Sequence, residues 1–409
     1  MRNIKNNLIE IITIAGVLIL LFYSSEPIMR GDSMRYLHKS LIDPPMYSSI
    51  IFIIQWLFGS LNAVVILQSI LIGVGIIYLT RTISNIFYLS EIMKIFISFF
   101  LFLPIIKFYN YLLTEPISYA FSLLLVGSLI KLIYKFNRVN LIWSAVFIIS
   151  LLLLRKQFII LYPIILLLYI GIFFINKSKK TLVLLVISFV SILVTHISLV
   201  SIDKHLNQNS LDKKSSLIDK YGPFYFIYID AIYISSAKDT KLFDNQNEQK
   251  MLLNIFKEMK SQKSLIEHYN GRGHYGLSFN NIRFYSDNLI ENLAKQENTN
   301  ITNIQKKISF KLLKANFGKY IKHIFKKFYD STWLFIFLPF AMLIAALINF
   351  LKHKSQLTLV IIFLSSFALA NHSMVYIFGR VQPRYFIYTD FILLVFIFLF
   401  FANFLKKSK

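Results

Sequence analysis

Apolar residues in this chain gather into long unbroken runs and do not alternate with polar ones, the pattern of helices surrounded by hydrocarbon. The runs cover 8–24, 61–79, 93–108, 117–134, 140–154, 157–175, 181–201, 332–351, 357–377 and 386–404. They predict an all-α polytopic membrane protein with about ten transmembrane helices. Several are short for a layer roughly 30 Å thick, so tilt or protein-lined ends are expected. Between 202 and 330 the runs stop, and acidic residues, Asn, Gln and Lys take over. The stretch from Asn245 to Lys263 carries Leu252, Leu253 and Phe256 at helical spacing, and 304–328 continues similarly, so this hydrophilic domain is expected to be mainly helical. Gly271, Gly273 and Gly276 around His274 predict a loop. The chain divides into an N-terminal transmembrane module (1–201), an extracytoplasmic domain (202–330) and C-terminal transmembrane helices (331–409).

Composition agrees: 56% of 409 residues are hydrophobic and 16% charged. The net charge of +24 would point to nucleic acid in a soluble protein, but here much of it lies in short loops beside apolar runs, where it sets topology. No nucleic-acid partner is expected. Cysteine is absent, which excludes disulfides and thiolate zinc sites. Arg2 and Lys5 precede the first run, yet Ser24, Ser25, Glu26 and Pro27 supply no small-x-small cleavage site, so the run reads as a retained helix. With the N-terminus inside, fifteen cationic residues fall in inner segments and eight in short outer loops: Arg30, Arg35, Lys39, Lys107, Arg155, Lys156, Arg380 and Arg384. That asymmetry places both termini in the cytoplasm of a plasma (inner) membrane. The eight outer cations depart from the rule and are candidates for another task.

The first outer loop, 24–60, holds Gly31-Asp32-Ser33-Met34-Arg35-Tyr36 and then Asp43-Pro44-Pro45-Met46-Tyr47. The apolar stretch 50–58 with Trp56 suits the membrane surface. Asp32 stands where water meets hydrocarbon, so its reactivity can be tuned; the plain reading is a helix cap with Arg35 as an ion-pair partner. Glu115, in Thr114-Glu115-Pro116, opens the fourth run at the same face, again as a cap or as a second functional acid. Two carboxylates there could divide base and electrostatic roles or hold a divalent metal ion. Arg155-Lys156-Gln157 interrupts an apolar stretch, and Arg380, Arg384 and Tyr385 open the last run. Such interfacial cations suit a phosphate, or lipid head groups. His196, His205, His274 and His372 are scattered and read as structural.

These motifs, in this order and with Arg155 leading to Pro163 and Arg384-Tyr385 before the last run, resemble the GT-C class of membrane glycosyltransferases. The likeness is to the branch of protein O-mannosyltransferases and the aminoarabinose transferase, and it spans most of the membrane region. The hydrophilic domain is similar only in position and in its ending, Lys319-Tyr320-Ile321-Lys322; the family shows His or Lys where this chain has Asp43. The resemblance implies transfer of a sugar from a polyprenyl-phosphate donor to a hydroxyl of a lipid, glycan or protein acceptor, at the extracytoplasmic face, with inversion. It implies Asp32 as general base and Glu115 as the second acid, positioning the acceptor, the base or a metal ion. Arg155, Lys156, Arg380, Arg384 and Tyr385 would hold the donor phosphate, and Arg35, Tyr36, Asp43 and Tyr47 would position substrate.

Two other envelope functions stay open: a polysaccharide polymerase and a transporter of lipid-linked sugars. Transporters place ionisable residues near the midplane, often in repeats, whereas charges here cluster at helix ends without a repeat. A receptor or scaffold using 202–330 has no specific motif behind it.

Overall fold

The computed structural model describes residues 8–40, 42–207, 224–261, 272–378 and 383–407. Among them the chain is all-helical, with one isolated bridge between Ile28 and Tyr111. It forms two compact units: Met1–Gln208 with Phe337–Asn371 and Arg384–Lys409, and Asn209–Ile336 with His372–Pro383.

The first unit contains α1 (Leu8–Tyr23), α2 (Ser33–Leu37), α3 (Pro45–Phe58), α4 (Asn62–Phe87), α5 (Glu91–Phe100), α6 (Thr114–Tyr134), α7 (Arg138–Leu154), α8 (Leu161–Asn176) and α9 (Lys179–Leu206). Six described segments are long and apolar enough to cross a membrane: α4, α6, Lys156–Asn176, α9, Ile336–His353 and 356–377. The run 93–108 does not form one helix. Ser90 caps α5 by accepting from the Met93 amide, but the helix ends after ten residues, about 15 Å, and the chain turns through 101–110 around Pro104.

The middle of this unit is α6, buried on almost every side and packed against α4 and α7. Small residues permit that closeness, since a Cβ on Gly75 would lie 2.9 Å from the Ala120 carbonyl oxygen. By contrast α9 buries only Thr181, Leu185, Ser188 and Ile192, leaving the apolar remainder for lipid. Exposed Phe52, Ile53, Trp56, Leu57 and Phe58 leave α3 with a bare apolar face, as expected of a helix lying in the interface.

A polar node fastens the segments that precede α2 and α6. Buried Gln68 of α4 accepts from the Tyr47 hydroxyl at 2.8 Å and donates to the carbonyls of Tyr109 and Tyr111 at 3.0 and 3.2 Å. The Tyr109 hydroxyl donates to the Leu20 and Ser24 carbonyls. The Ile28 amide donates to Asn110 at 2.8 Å, and the Leu112 amide to Ile28 at 3.1 Å. These bonds lay the stretch before Asp32 alongside the stretch before Glu115.

The second unit contains α10 (Tyr225–Ile234), α11 (Gln246–Ser261), α12 (Arg272–Gln296), α13 (Ile301–Ala315) and the first part of α14 (Phe317–His353). Its core joins Tyr228, Ile232, Leu252, Ile255, Ile304 and Ile308. Leu252 and Phe256 face inward while Leu253 is exposed. Contrary to the loop expected there, Gly273, His274 and Gly276 lie within α12; Gly271 is outside the described residues. Glycine weakens a helix by about 1 kcal/mol without forbidding it. The helical stretch expected over 304–328 is interrupted at Asn316.

The remaining helices are α15 (Gln356–Phe378) and α16 (Ile387–Lys407), separated in part by a 3-10 turn, Pro383–Tyr385. The close approach at Gly75 predicts that Gly75→Ala lowers stability by about 1–3 kcal/mol in thermal unfolding of the purified protein. Gly31→Ala, where an added Cβ meets nothing within 4 Å, should stay within about 0.5 kcal/mol of the parent.

Candidate functional site

Asp32 immediately precedes α2, yet its side chain does not cap that helix. Its carboxylate instead accepts from Arg384 Nη2 at 3.0 Å and pairs with Arg35 Nη2 at 3.5 Å. Arg35 reaches further, to Asp43, at 3.0 Å from Nε and 3.2 Å from Nη2. The plain reading of Asp32 as a cap therefore fails, while its ion pair with Arg35 is present.

Glu115 sits in the first turn of α6 with its side chain 2% exposed. Its Oε1 lies 3.0 Å from Arg155 Nη1 and 3.5 Å from Arg384 Nε. Arg155 follows the end of α7, in extended backbone that turns its side chain out of the helix path. Its Nη1 also donates to Thr114 Oγ1 at 3.2 Å and to the Tyr388 hydroxyl. The Tyr385 ring lies 4.9 Å from both guanidinium carbons, and its hydroxyl accepts from Arg384 at 2.9 Å. The 3-10 turn carrying Arg384 is held from behind: Gln157 donates to Asn371 at 2.6 Å, and Asn371 donates to the Tyr385 carbonyl at 3.1 Å and to Thr389 at 2.9 Å.

Chain segments far apart in sequence thus converge on three guanidinium groups and three carboxylates. The charges balance, but accessibility does not. Glu115 is sealed, Arg155 and Arg384 are each 17% exposed, and Asp32 and Arg35 are each 34% exposed. The cluster has a closed floor at Glu115 and an open side at Asp32.

Burial pushes the Asp32 carboxyl up, but Arg35, then Arg384 with its hydrogen bond, and Arg155 together outweigh it and hold the carboxyl below the ordinary value. Asp43 behaves oppositely: burial raises it more than Arg35 draws it down, and the Asp32 charge adds to the rise. The Tyr36 phenol is pushed well above its usual value by burial first, then by Asp43.

Other expected residues land differently. Tyr47 is fully buried, its hydroxyl bonded to Gln68 and its ring 5.0 Å from that of Tyr36, so it packs against the Tyr36 side of the cluster. Lys156 is exposed and makes no ion pair among the described residues; Asp43, Arg35 and Lys204 are its charged neighbours. Arg380 lies outside the described residues. Asp32 and Glu115 are already taken by guanidinium groups, and the described residues hold no group of three His, Asp or Glu fit for a metal ion. A divalent cation thus does not fit the cluster in this state. Sequence reasoning missed Tyr388, Asn371 and Gln157. Tyr388 follows Arg384 by one helical turn, but among 23 tyrosines that spacing carried no signal.

Comparison with protein-family models, with curated proteins and with solved structures found no match to this chain.

Removing Glu115 leaves two guanidinium groups without their sealed counter-charge, whereas Asp32 faces water on one side. Glu115→Gln is expected to lose about 3–5 kcal/mol in thermal unfolding, and Asp32→Asn about 1 kcal/mol or less. Because the Asp32 carboxyl is lowered in the fold, its contribution is complete above the ordinary carboxylate value and lost as pH falls through the lowered one. The stability gap between parent and Asp32→Asn should therefore be constant from pH 6 to 8 and close only below about pH 4.

Proposed function

We propose that the cluster binds the phosphate of a lipid-linked sugar and that this chain is a GT-C-like glycosyltransferase acting at the outer face of a plasma membrane. In this reading the six long apolar segments and the shorter apolar helices make about ten crossings, with both termini cytoplasmic. The observation that carries it is Arg384 set between Asp32 and Glu115, with Arg155 on the same Glu115 oxygen. Paired arginines on a neutral, half-sheltered floor suit the phosphodiester of such a donor, and the monoester that leaves, better than a free carboxylate pair would.

The donor phosphate enters from the open side and takes donors of Arg384 and Arg155, while Glu115 keeps the two cations in place. Drawing Arg384 away from Asp32 removes part of what depresses that carboxyl, so donor binding itself makes Asp32 a better base. The acceptor oxygen then attacks the anomeric carbon and its proton passes to Asp32. A new carbon–oxygen bond forms as the bond to the phosphate oxygen breaks, its electron pair leaving with polyprenyl phosphate. The developing negative charge falls on the oxygens held by Arg155 and Arg384, where fixed cations lower the barrier. One displacement inverts the anomeric configuration. Asp43 and Tyr36 fix Arg35 at the rim of the acceptor side.

Asp32→Asn is expected to abolish sugar transfer by purified, folded protein supplied with its lipid donor, leaving donor binding measurable. Arg384→Lys, which keeps charge but loses the fork, should retain donor binding within about tenfold and cut kcat by roughly a hundredfold. Turnover preserved in Asp32→Asn would remove Asp32 from the chemistry.

A further inference from the structure

A second group of charges stands at the far end of α6 from Glu115. Lys131 lies in the last turn of that helix, about 24 Å along the axis from Glu115 and so in the opposite head-group layer of a bilayer. It is half-buried and makes no ion pair or hydrogen bond among the described residues. Its Nζ sits 4.0 Å from the centre of the Tyr78 ring of α4. That ring packs over Gly127, one turn before Lys131, where an added Cβ would come within 2.8 Å of it. A lysine that only snorkels runs past the helix end into water, whereas this one turns back onto the neighbouring helix. Arg81, one turn beyond Tyr78 on α4, is the charged neighbour of Lys131 and pairs with Glu10 of α1. Glu10, Arg81 and Lys131 together carry a surplus positive charge.

Beside the lysine the helices form an aromatic shelf. Phe147 of α7 meets the Tyr78 ring edge-on at 6.4 Å, Phe121 of α6 at 6.2 Å and Trp143, stacked, at 5.7 Å. α7 starts just after the turn that follows α6, so Trp143 stands near the level of Lys131. Trp143 is 51% exposed, so the shelf opens towards lipid. The exposed side of α9, by contrast, is aliphatic: Ile187, Val190, Val194 and Ile197. What sets the shelf apart is a cation folded back over a ring, with a second cation beside it and stacked rings from three helices beneath.

We infer that Lys131, Arg81 and the shelf of Tyr78, Phe147 and Trp143 bind one anionic phospholipid, in the head-group layer opposite the Asp32–Glu115 cluster. The phosphodiester meets Lys131 and the exposed edge of Arg81, and an acyl chain lies on Trp143 and Phe147. Charge complementarity selects this occupant. A ring face attracts an ammonium without cancelling its charge, so Lys131 keeps its pull on an anion. One phosphodiester balances the surplus charge, whereas phosphatidylcholine brings its own ammonium, which the two cations repel. Inorganic phosphate shares the head-group chemistry but has no chain to lay on the shelf. The site is separate from sugar transfer and does not rest on the transferase reading.

The chain has three tryptophans, so a full-length variant carrying Trp56→Phe and Trp333→Phe reports on Trp143 alone. It is placed in phosphatidylcholine vesicles that contain phosphatidylglycerol brominated in its acyl chains. Quenching of Trp143 fluorescence is expected at about a tenfold lower fraction of brominated phosphatidylglycerol than of brominated phosphatidylcholine. Lys131→Ala should reduce that preference about fivefold and Lys131→Glu should remove it, while Lys131→Arg keeps it. Lys135, exposed one turn further on, controls for charge in general, and Lys135→Ala should stay within about twofold of the parent. Equal quenching by the two lipids would overturn the inference. So would a preference unchanged in Lys131→Ala, an equal loss in Lys135→Ala, or displacement of the lipid by inorganic phosphate.

Discussion

Glu115 holds two guanidinium groups where water scarcely reaches, and the charged cluster is organised around that double pairing. Bringing Arg155 and Arg384 within a few ångströms of each other would be strongly repulsive without an anion between them. A carboxylate on the first turn of the most buried helix supplies the anion at a fixed point. Once the two arginines are held there, the 3-10 turn of Arg384, the end of α7 and the loop of Asp32 have to meet. The Gln157–Asn371 and Gln68 networks stiffen each segment as it arrives, so little freedom is left in where the cations sit.

The gradient of exposure gives this arrangement a direction. Charge is locked at the Glu115 end and negotiable at the Asp32 end, where Arg384 can trade one oxyanion for another. In the proposed reading, a phosphate arriving there would compete with Asp32 and not with Glu115, so that binding and base activation would be one event.

Much of this was legible in the sequence because charges stand out against an apolar background. Asp32, Glu115, Arg155 and Arg384 could be picked as residues that hydropathy alone would not place at helix ends, and orientation put them on one face. Their pairing was not legible, since nothing in sequence spacing says that Arg384 faces both Asp32 and Glu115 across some 270 to 350 positions. Residues whose role is to support others, such as Tyr47, Gln68, Asn371 and Tyr388, look like ordinary polar or aromatic members of a membrane helix. The run 93–108 misled because hydropathy records composition and not the turn around Pro104. The glycines near His274 misled because glycine permits a loop without requiring one.

The claim that Arg384 exchanges Asp32 for phosphate is tested most directly by a double-mutant cycle. Thermal unfolding of the parent, Asp32→Asn, Arg384→Gln and the double variant gives their coupling free energy, with and without saturating polyprenyl phosphate. A coupling of about 0.5–1 kcal/mol in the free protein that shrinks towards zero with the lipid bound is the predicted result. No coupling in the free protein, or the same coupling in both states, would contradict it.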